Sequence, residues 1–266
     1  MKKLLLGLIA LIGLVMTGCD KDDEDVVSKT FVLVHGAWQG AYVWEDVRSQ
    51  LEAKGQHVVV VELPAHGNDN AAPQTVSISV YRDKVIEAIH KESGNVILVG
   101  HSMGGVVVTA VAEKIPARIE KLIYIGAFVP ANDQSLIDLA FQDTESQLGA
   151  SLIPSADQLT LDVKHENIVS IFCQDATTEK QQLVLSKYRV EPAIPFADKA
   201  VVTSANFGSV NKYYIHTTQD HAIGTGLQNK MIAGAKITQV LSIDSGHSPF
   251  LSKPNEVVSL FMKIVE

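Results

Sequence analysis

From residue 30 onward, short apolar runs alternate with longer stretches in which apolar residues recur at helical spacing. The apolar runs are rich in β-branched residues, which is typical of buried strands, and they cover residues 31–34, 57–61, 96–99, 121–125, 212–216 and 238–243. The helical spacing covers residues 41–54, 75–91, 105–114 and 254–264. Strands that alternate with amphipathic helices form a mostly parallel sheet with helices on both faces, so the pattern predicts an α/β fold.

The alternation stops between about residues 128 and 206. This segment contains short helical stretches and four prolines, Pro130, Pro154, Pro192 and Pro195. A long insertion after a strand of such a sheet is typical of a functional lid, so we predict a helical cap insertion at about residues 128–206. The 266 residues of the chain suffice for one large domain, which we place at residues 30–266.

One short motif carries the strongest indication of chemistry. The run from Gly100 to Gly104 has the form Gly-x-Ser-x-Gly and directly follows the apolar stretch 96–99. In a tight strand-to-helix turn, Ser102 would stand above the sheet, and the residues two positions to either side must be small to avoid a clash. The helix that follows points its N-terminal amides at the reacting centre. We therefore predict that Ser102 is a nucleophile.

A serine nucleophile needs a base, and the base needs an acid that orients it. His247 follows the strand predicted at 238–243, and Asp220 follows the strand at 212–216, so both lie at the sheet edge that presents Ser102. We predict that His247 is the base and Asp220 the acid. Asp244 is too close to His247 in sequence to orient its ring easily, and Asp133 in the predicted cap is a weaker alternative.

Two backbone N–H groups must stabilise the negative oxygen of the transition state. Met103, directly after the nucleophile, supplies one of them, and Ala37 in the loop after the first predicted strand supplies the other, with Gly36 allowing close approach of the chain. Three further histidines near these segments are interpreted as structural: His35, His66 and His101.

The stretches 35–44, 100–105 and 246–254 resemble those of a branch of the α/β-hydrolases that contains plant methylesterases, hydroxynitrile lyases and many bacterial carboxylesterases. The resemblance covers about residues 30–266. It implies the α/β-hydrolase fold, a triad of Ser102, Asp220 and His247, oxyanion donors at Ala37 and Met103, and a small helical cap. It also implies no metal and no organic cofactor, and a small ester substrate with a hydrophobic or aromatic acyl part.

Two positions distinguish the activities within this branch. Hydroxynitrile lyases that resemble the chain have a threonine after the first histidine and a lysine after the last one, where this chain has Gly36 and Ser248. Without the lysine, no cation stabilises a departing cyanide. We therefore predict a serine hydrolase that cleaves small carboxylic esters through an acyl-enzyme. The alternatives are hydroxynitrile lyase-like cleavage and a non-catalytic homologue that binds a small ligand.

The first 18 residues are interpreted as a targeting segment rather than as part of the fold. Lys2 and Lys3 precede an apolar stretch over residues 4–16, and Thr17, Gly18 and Cys19 follow it. This pattern resembles a bacterial lipoprotein signal, with Cys19 as the lipidated residue; the alternative is an ordinary secretory signal. The acidic residues 20–25 would lie in a tether over 19–29, and they resemble an export signal for the cell surface. We expect an exported lipoprotein anchored in the outer membrane.

Composition limits the other partners. The formal net charge is −8 and the chain has no basic cluster after the N-terminus, which argues against a nucleic-acid partner. Only two cysteines are present, so a lipidated Cys19 leaves Cys173 without a disulfide partner. We predict that Cys173 is a small buried hydrophobic residue.

Overall fold

The structure is a computed structural model that describes residues 28–266. The predicted signal peptide and Cys19 lie outside the described residues, as does nearly all of the predicted acidic tether. Within residues 28–266, no helix is long and apolar enough to cross a bilayer.

Nine strands are present in residues 28–266, and they form two sheets. Their bounds are β1 Thr30–Val34, β2 His57–Val61, β3 Val96–Ser102, β4 Ile119–Ala127, β5 Leu152–Pro154, β6 Thr160–Val163, β7 Glu191–Pro192, β8 Lys212–Thr217 and β9 Gln239–Ile243. Six of them form the main sheet in the order β2-β1-β3-β4-β8-β9, and every neighbouring pair is parallel. The predicted parallel α/β sheet is confirmed, with all six strands in the predicted places.

Ten α-helices accompany the strands in this described part of the chain. Their bounds are α1 Glu45–Ala53, α2 Ile78–His90, α3 Gly104–Lys114, α4 Leu136–Ala140, α5 Ile168–Phe172, α6 Thr178–Lys187, α7 Ile194–Ala197, α8 Thr225–Gly234, α9 Pro249–Ser252 and α10 Pro254–Val265. Local sequence explains several boundaries. For example, the side chain of Ser77 accepts a hydrogen bond from the backbone N–H of Val80 and caps α2. Helix α2 therefore begins at Ile78, later than predicted.

The middle of the sheet is the core of the molecule. Every residue of β3 is buried, because its neighbours β1 and β4 cover its edges and helices cover both faces. At the periphery, α10 buries one apolar stripe, and its Phe261 stacks on Phe31 of β1 with ring centroids 5.9 Å apart. Trp44 and Phe250 pack at 4.4 Å and fix the chain after β9 against the chain after β1. Because the six strands of the main sheet are parallel, their carboxyl ends lie at one edge.

The segment between β4 and β8 differs in part from the predicted helical cap. It contains four short helices, α4 to α7, and also the antiparallel sheet β5-β6-β7, which the sequence did not predict. These strands have two to four residues and two of them contain a proline, so they lack a periodic pattern. The segment lies over the carboxyl edge of the main sheet, since its side chains share a cavity with Ser102.

Candidate active site

Ser102 lies at the end of β3 in the strained turn that the motif predicts. Its φ is +52°, a left-handed conformation that is uncommon for a residue with a side chain. A Cβ on Gly100 would lie 2.8 Å from the carbonyl oxygen of Gly104 across the turn, and one on Gly104 would lie 2.6 Å from the carbonyl oxygen of His35. Both glycines are therefore required sterically, one by the turn and the other by the loop after β1.

His247 and Asp220 are in direct contact. His247 follows β9 and Asp220 follows β8, and the Nδ1 of His247 lies 2.9 Å from Oδ2 and 3.0 Å from Oδ1 of Asp220. Both side chains are almost completely buried. An ionised carboxylate only accepts hydrogen bonds, so Nδ1 carries the proton and Nε2 keeps its lone pair. The arrangement can therefore accept a proton at Nε2.

Asp220 is held in place by its own loop. Its Oδ1 accepts the backbone N–H groups of Ala222 and Ile223 at 2.8 and 2.9 Å, and its Oδ2 accepts the hydroxyl of Thr217 at 2.7 Å. These donors compensate the burial of a carboxylate and fix its orientation. Gly126 at the end of β4 leaves the space for this group, since a Cβ there would lie 3.1 Å from Oδ2.

The two alternative acids lie elsewhere. Asp244 is exposed, and its Oδ1 accepts the side chains of Thr218 and Gln219, both at 3.1 Å. These two hydrogen bonds and the charge of Lys253 lower the pKa of Asp244. Asp133 is also exposed, at the surface of the segment between β4 and β8. Neither carboxylate hydrogen-bonds to His247.

The hydroxyl of Ser102 makes no hydrogen bond to His247 within the described residues. The two residues are linked through His101, which precedes the serine. The Nε2–H of His101 donates to the carbonyl oxygen of His247 at 2.9 Å, and the two rings are 4.5 Å apart between centroids. In free enzymes, the hydrogen bond between a nucleophile and its base is often long or poorly aligned, and it tightens when the substrate binds.

The two predicted oxyanion donors flank the serine. A Cβ on Gly36 would lie 2.7 Å from the Cβ of Ser102, so the loop after β1 approaches the serine as closely as a glycine permits. Ala37 and Met103 both line the same cavity as Ser102. Within residues 28–266, neither backbone N–H is used in a loop or side-chain hydrogen bond, so both are available to an incoming oxygen.

The histidines interpreted as structural are buried around this loop. The Nδ1–H of His35 donates to the carbonyl oxygen of Gly36 at 2.8 Å, and its Nε2 accepts the N–H of Leu63 at 3.1 Å. Burial lowers the pKa of His35, which is consistent with a neutral ring that both donates and accepts. His66 contacts the carboxylate of Glu191 at 2.8 Å.

A cavity of about 280 Å³ opens onto Ser102. Its lining is mostly apolar and comes from the sheet edge and from the segment between β4 and β8, with Trp38, Leu136 and Phe196 among its walls. Phe141, also in the lining, is 82% exposed at the surface. No lysine or arginine of the described residues lines this cavity. Within residues 28–266, no group of three or more His, Cys, Asp or Glu side chains is arranged to hold a metal ion.

Sequence reasoning missed Glu191 and Leu161. Both lie in the small antiparallel sheet and accept hydrogen bonds from Trp38. The carboxylate of Glu191 accepts the backbone N–H of Trp38, and the carbonyl oxygen of Leu161 accepts its indole N–H. The three residues are far apart in sequence, so no local pattern links them. The only available signal was a glutamate in an otherwise apolar and proline-containing stretch, 190–196.

The profile of the Alpha/beta hydrolase family matches residues 31–260. The chain belongs to the alpha/beta hydrolase family. Among its relatives, "Putative methylesterase 13, chloroplastic" of Arabidopsis thaliana is 30% identical over 91% of this chain, and the chain spans 57% of that protein's length. "Alpha-hydroxynitrile lyase" of the same plant is 28% identical over 85% of the chain and 93% of its own length.

The solved structures agree on the fold of this alpha/beta hydrolase. The crystal structure of polyneuridine aldehyde esterase matches with a TM-score of 0.78, covering 90% of this chain and 100% of the other, at 23% identity. The relatives include methylesterases and a hydroxynitrile lyase.

Proposed function

We propose that the protein is a serine hydrolase that cleaves small carboxylic esters through an acyl-enzyme. The observation that carries this proposal is the buried pair of His247 and Asp220, which leaves the Nε2 of His247 as a base. The backbone of His247 is hydrogen-bonded to His101, the residue before the strained Ser102. Ser102 is the nucleophile, His247 the general base and acid, and Asp220 the group that orients the imidazole.

In the first step, the oxygen of Ser102 attacks the ester carbonyl carbon while its proton passes to Nε2 of His247. The carbonyl oxygen becomes negative, and the N–H groups of Ala37 and Met103 donate to it. The C–O bond to the alcohol then breaks, and His247 returns its proton to the departing alkoxide. The acyl group stays on Ser102.

In the second step, a water molecule attacks the acyl carbon and gives a proton to His247. The same two N–H groups hold the second oxyanion. The bond to Ser102 breaks, the serine recovers its proton from His247, and the carboxylic acid leaves. Asp220 keeps the imidazole oriented in both steps, because four polar groups including His247 hydrogen-bond to its two oxygens.

The lining of the cavity favours a neutral and largely apolar ester as the substrate. Its walls are mostly aromatic and aliphatic, and the charged side chain among them is that of Asp143, with no lysine or arginine of the described residues. A second carboxylate on the substrate would therefore be desolvated without a partner. We therefore propose short methyl or aryl esters with a hydrophobic or aromatic acyl part as substrates.

The positions that distinguish lyases from esterases support hydrolysis. At Gly36, a Cβ would lie 2.7 Å from Ser102 and 2.9 Å from Nδ1 of His101, which leaves no space for a threonine. Ser248 is fully buried and its hydroxyl accepts the side chain of Gln39 at 3.0 Å. Neither position supplies a cation for cyanide.

A substrate panel tests the proposal. Purified protein is assayed against methyl and aryl esters of graded acyl size and against mandelonitrile, with Ser102→Ala as the blank. We expect ester turnover that depends on Ser102 and negligible release of cyanide. Efficient cyanide release without ester turnover would favour the lyase alternative, and the absence of both would favour the ligand-binding alternative.

A further inference from the structure

Trp38, next to the proposed oxyanion donor Ala37, has a strained backbone. Its φ is +59°, in the left-handed region that a residue with a large side chain rarely adopts. Such a conformation persists only where the surroundings enforce it. Relaxing this angle would turn the peptide that joins Ala37 to Trp38. Ala37 lines the same cavity as Ser102, so a turn of its backbone is felt beside the nucleophile.

Two hydrogen bonds enforce the conformation of Trp38, and both come from the small antiparallel sheet. The backbone N–H of Trp38 donates to Oε2 of Glu191 at 2.8 Å, and its indole Nε1–H donates to the carbonyl oxygen of Leu161 at 2.9 Å. Leu161 of β6 and Glu191 of β7 are partners in the register of that sheet. One paired position of the small sheet, Leu161 with Glu191, thus holds both the backbone and the indole of Trp38.

Glu191 is completely buried, so its charge requires a partner. The Nε2 of His66 lies 2.8 Å from the same oxygen, Oε2, and the Nδ1 of His66 lies 3.0 Å from the carbonyl oxygen of Pro64. Since both ring nitrogens face acceptors, both carry hydrogens and His66 is an imidazolium. Burial lowers the pKa of His66, but the charge of Glu191 and these hydrogen bonds raise it above its ordinary value.

The pair of Glu191 and His66 is poorly explained by stability alone. A buried ion pair contributes little net stability on average, because desolvation of the two charges offsets their attraction. The effect that remains is geometric: the carboxylate fixes one backbone N–H of the loop that approaches Ser102.

We propose that Glu191 is a positioning residue for ester hydrolysis, which holds the Trp38 N–H and thereby aims the Ala37 N–H at the oxyanion. The proposal rests on the proposed function. Glu191 touches no reacting atom in this account. It acts through the backbone of residues 36–38, and the small sheet thus completes the oxyanion hole as well as covering the cavity.

The experiment compares Glu191→Gln and Glu191→Ala with the wild type and with a matched control, Glu113→Gln. Glu113 also accepts backbone N–H groups from another segment, those of Thr203 and Phe207, but contacts no part of the Trp38 loop. Each protein is measured for its melting temperature, for kcat and KM on the best ester of the panel, and for the Ki of a trifluoromethyl ketone. Ser102 adds to this ketone to form an oxyanion.

For Glu191→Gln, we expect kcat to fall roughly 10-fold and the ketone to bind weaker by a similar factor, with KM changed less than about 3-fold. Glu191→Ala should lose more of both, roughly 100-fold, and Glu113→Gln should match the wild type. If Glu191→Ala does not fold, the near-isosteric Glu191→Gln decides alone.

Wild-type kcat and ketone affinity in Glu191→Gln would overturn the proposal, as would equal losses in Glu113→Gln. A wild type that hydrolyses no ester would instead contradict the proposed function itself.

Discussion

The imidazole of His247 donates its Nδ1–H to the buried carboxylate of Asp220, 2.9 Å from Oδ2. The two residues are 27 positions apart and follow adjacent parallel strands, β8 and β9. Because a charged acceptor faces Nδ1, only the tautomer with a free Nε2 fits the site. This relationship determines which nitrogen of His247 is able to take a proton from Ser102.

Asp220→Asn tests this relationship. An asparagine can turn its amide N–H towards His247 and favour the wrong tautomer, so we expect kcat to fall by roughly 10⁴-fold with the fold retained. Asp244→Asn is the matched control, because Asp244 is exposed and bonds to Thr218 and Gln219 instead. The measurement is steady-state hydrolysis of the best ester. A larger loss in Asp244→Asn than in Asp220→Asn would show that the acid is misassigned.

Gly36→Ala tests the approach of the loop after β1 to the nucleophile. The added methyl would lie 2.7 Å from the Cβ of Ser102, so the loop must shift and carry the Ala37 N–H away from the oxyanion. We expect kcat to fall by roughly 10² to 10³-fold. Gly234→Ala serves as the control, because a Cβ there meets nothing within 4 Å. Equal activities of the two variants would contradict the assignment of the Ala37 N–H to the oxyanion hole.

Stability should depend on pH through His101. Burial, and then the electrostatic effect of the neighbouring His247, lower the pKa of His101 well below its usual 6.5 in the folded protein. The unfolded chain therefore binds a proton that the folded protein does not, once the pH falls below about 6.5. The stabilisation is complete above that value and is lost as the pH falls towards the depressed pKa.

Urea unfolding at pH 7.5 and 5.0 measures this effect. The free energy of unfolding of the wild type should drop by about 1–2 kcal/mol more than that of His101→Gln, in which this titration is absent. His35, whose pKa is lowered in the same direction, contributes equally to both proteins. Identical pH dependence of the two would contradict the assignment of a neutral His101.

We propose that Cys19 is lipidated and anchors the protein in the outer membrane. The wild type expressed with its full N-terminus should then partition into the detergent phase. Stable anchoring needs more than one acyl chain, and Cys19 is their proposed point of attachment, so Cys19→Ala should be released or misprocessed. Mass spectrometry of the N-terminal peptide provides the check. An unmodified Cys19 in the mature protein would instead favour an ordinary secretory signal.

The sequence predicted the parts of the site that depend on local pattern. Ser102 is determined by five consecutive residues, and His247 and Asp220 are each determined by the strand that precedes them. Parallel strands place their carboxyl ends at one edge, so strand prediction alone was sufficient to group these residues. The same reasoning located all six strands of the main sheet. It ended β3 three residues early, because Gly100 and His101 lack the apolar pattern although they still pair with β4.

The parts that escaped prediction depend on contacts between distant segments. Helix α8 has little amphipathic pattern, and the strands of the small sheet are too short to show alternation. The hydrogen bond between Trp38 and Glu191 joins residues 153 positions apart, and the local sequence around either residue does not predict the contact. His66 was predicted to be structural, but its partner Glu191 became apparent only from the folded chain.

The central claim is that Ser102 attacks the substrate with His247 as its base. Incubation with a fluorophosphonate, followed by peptide mass spectrometry, tests this claim directly. We predict one label per chain, attached to Ser102. The label should be absent from Ser102→Ala and almost absent from His247→Ala. In parallel, kcat of a folded Ser102→Ala should fall by roughly 10⁴–10⁶-fold. Labelling of another residue, or ester turnover retained in folded Ser102→Ala, would contradict the account.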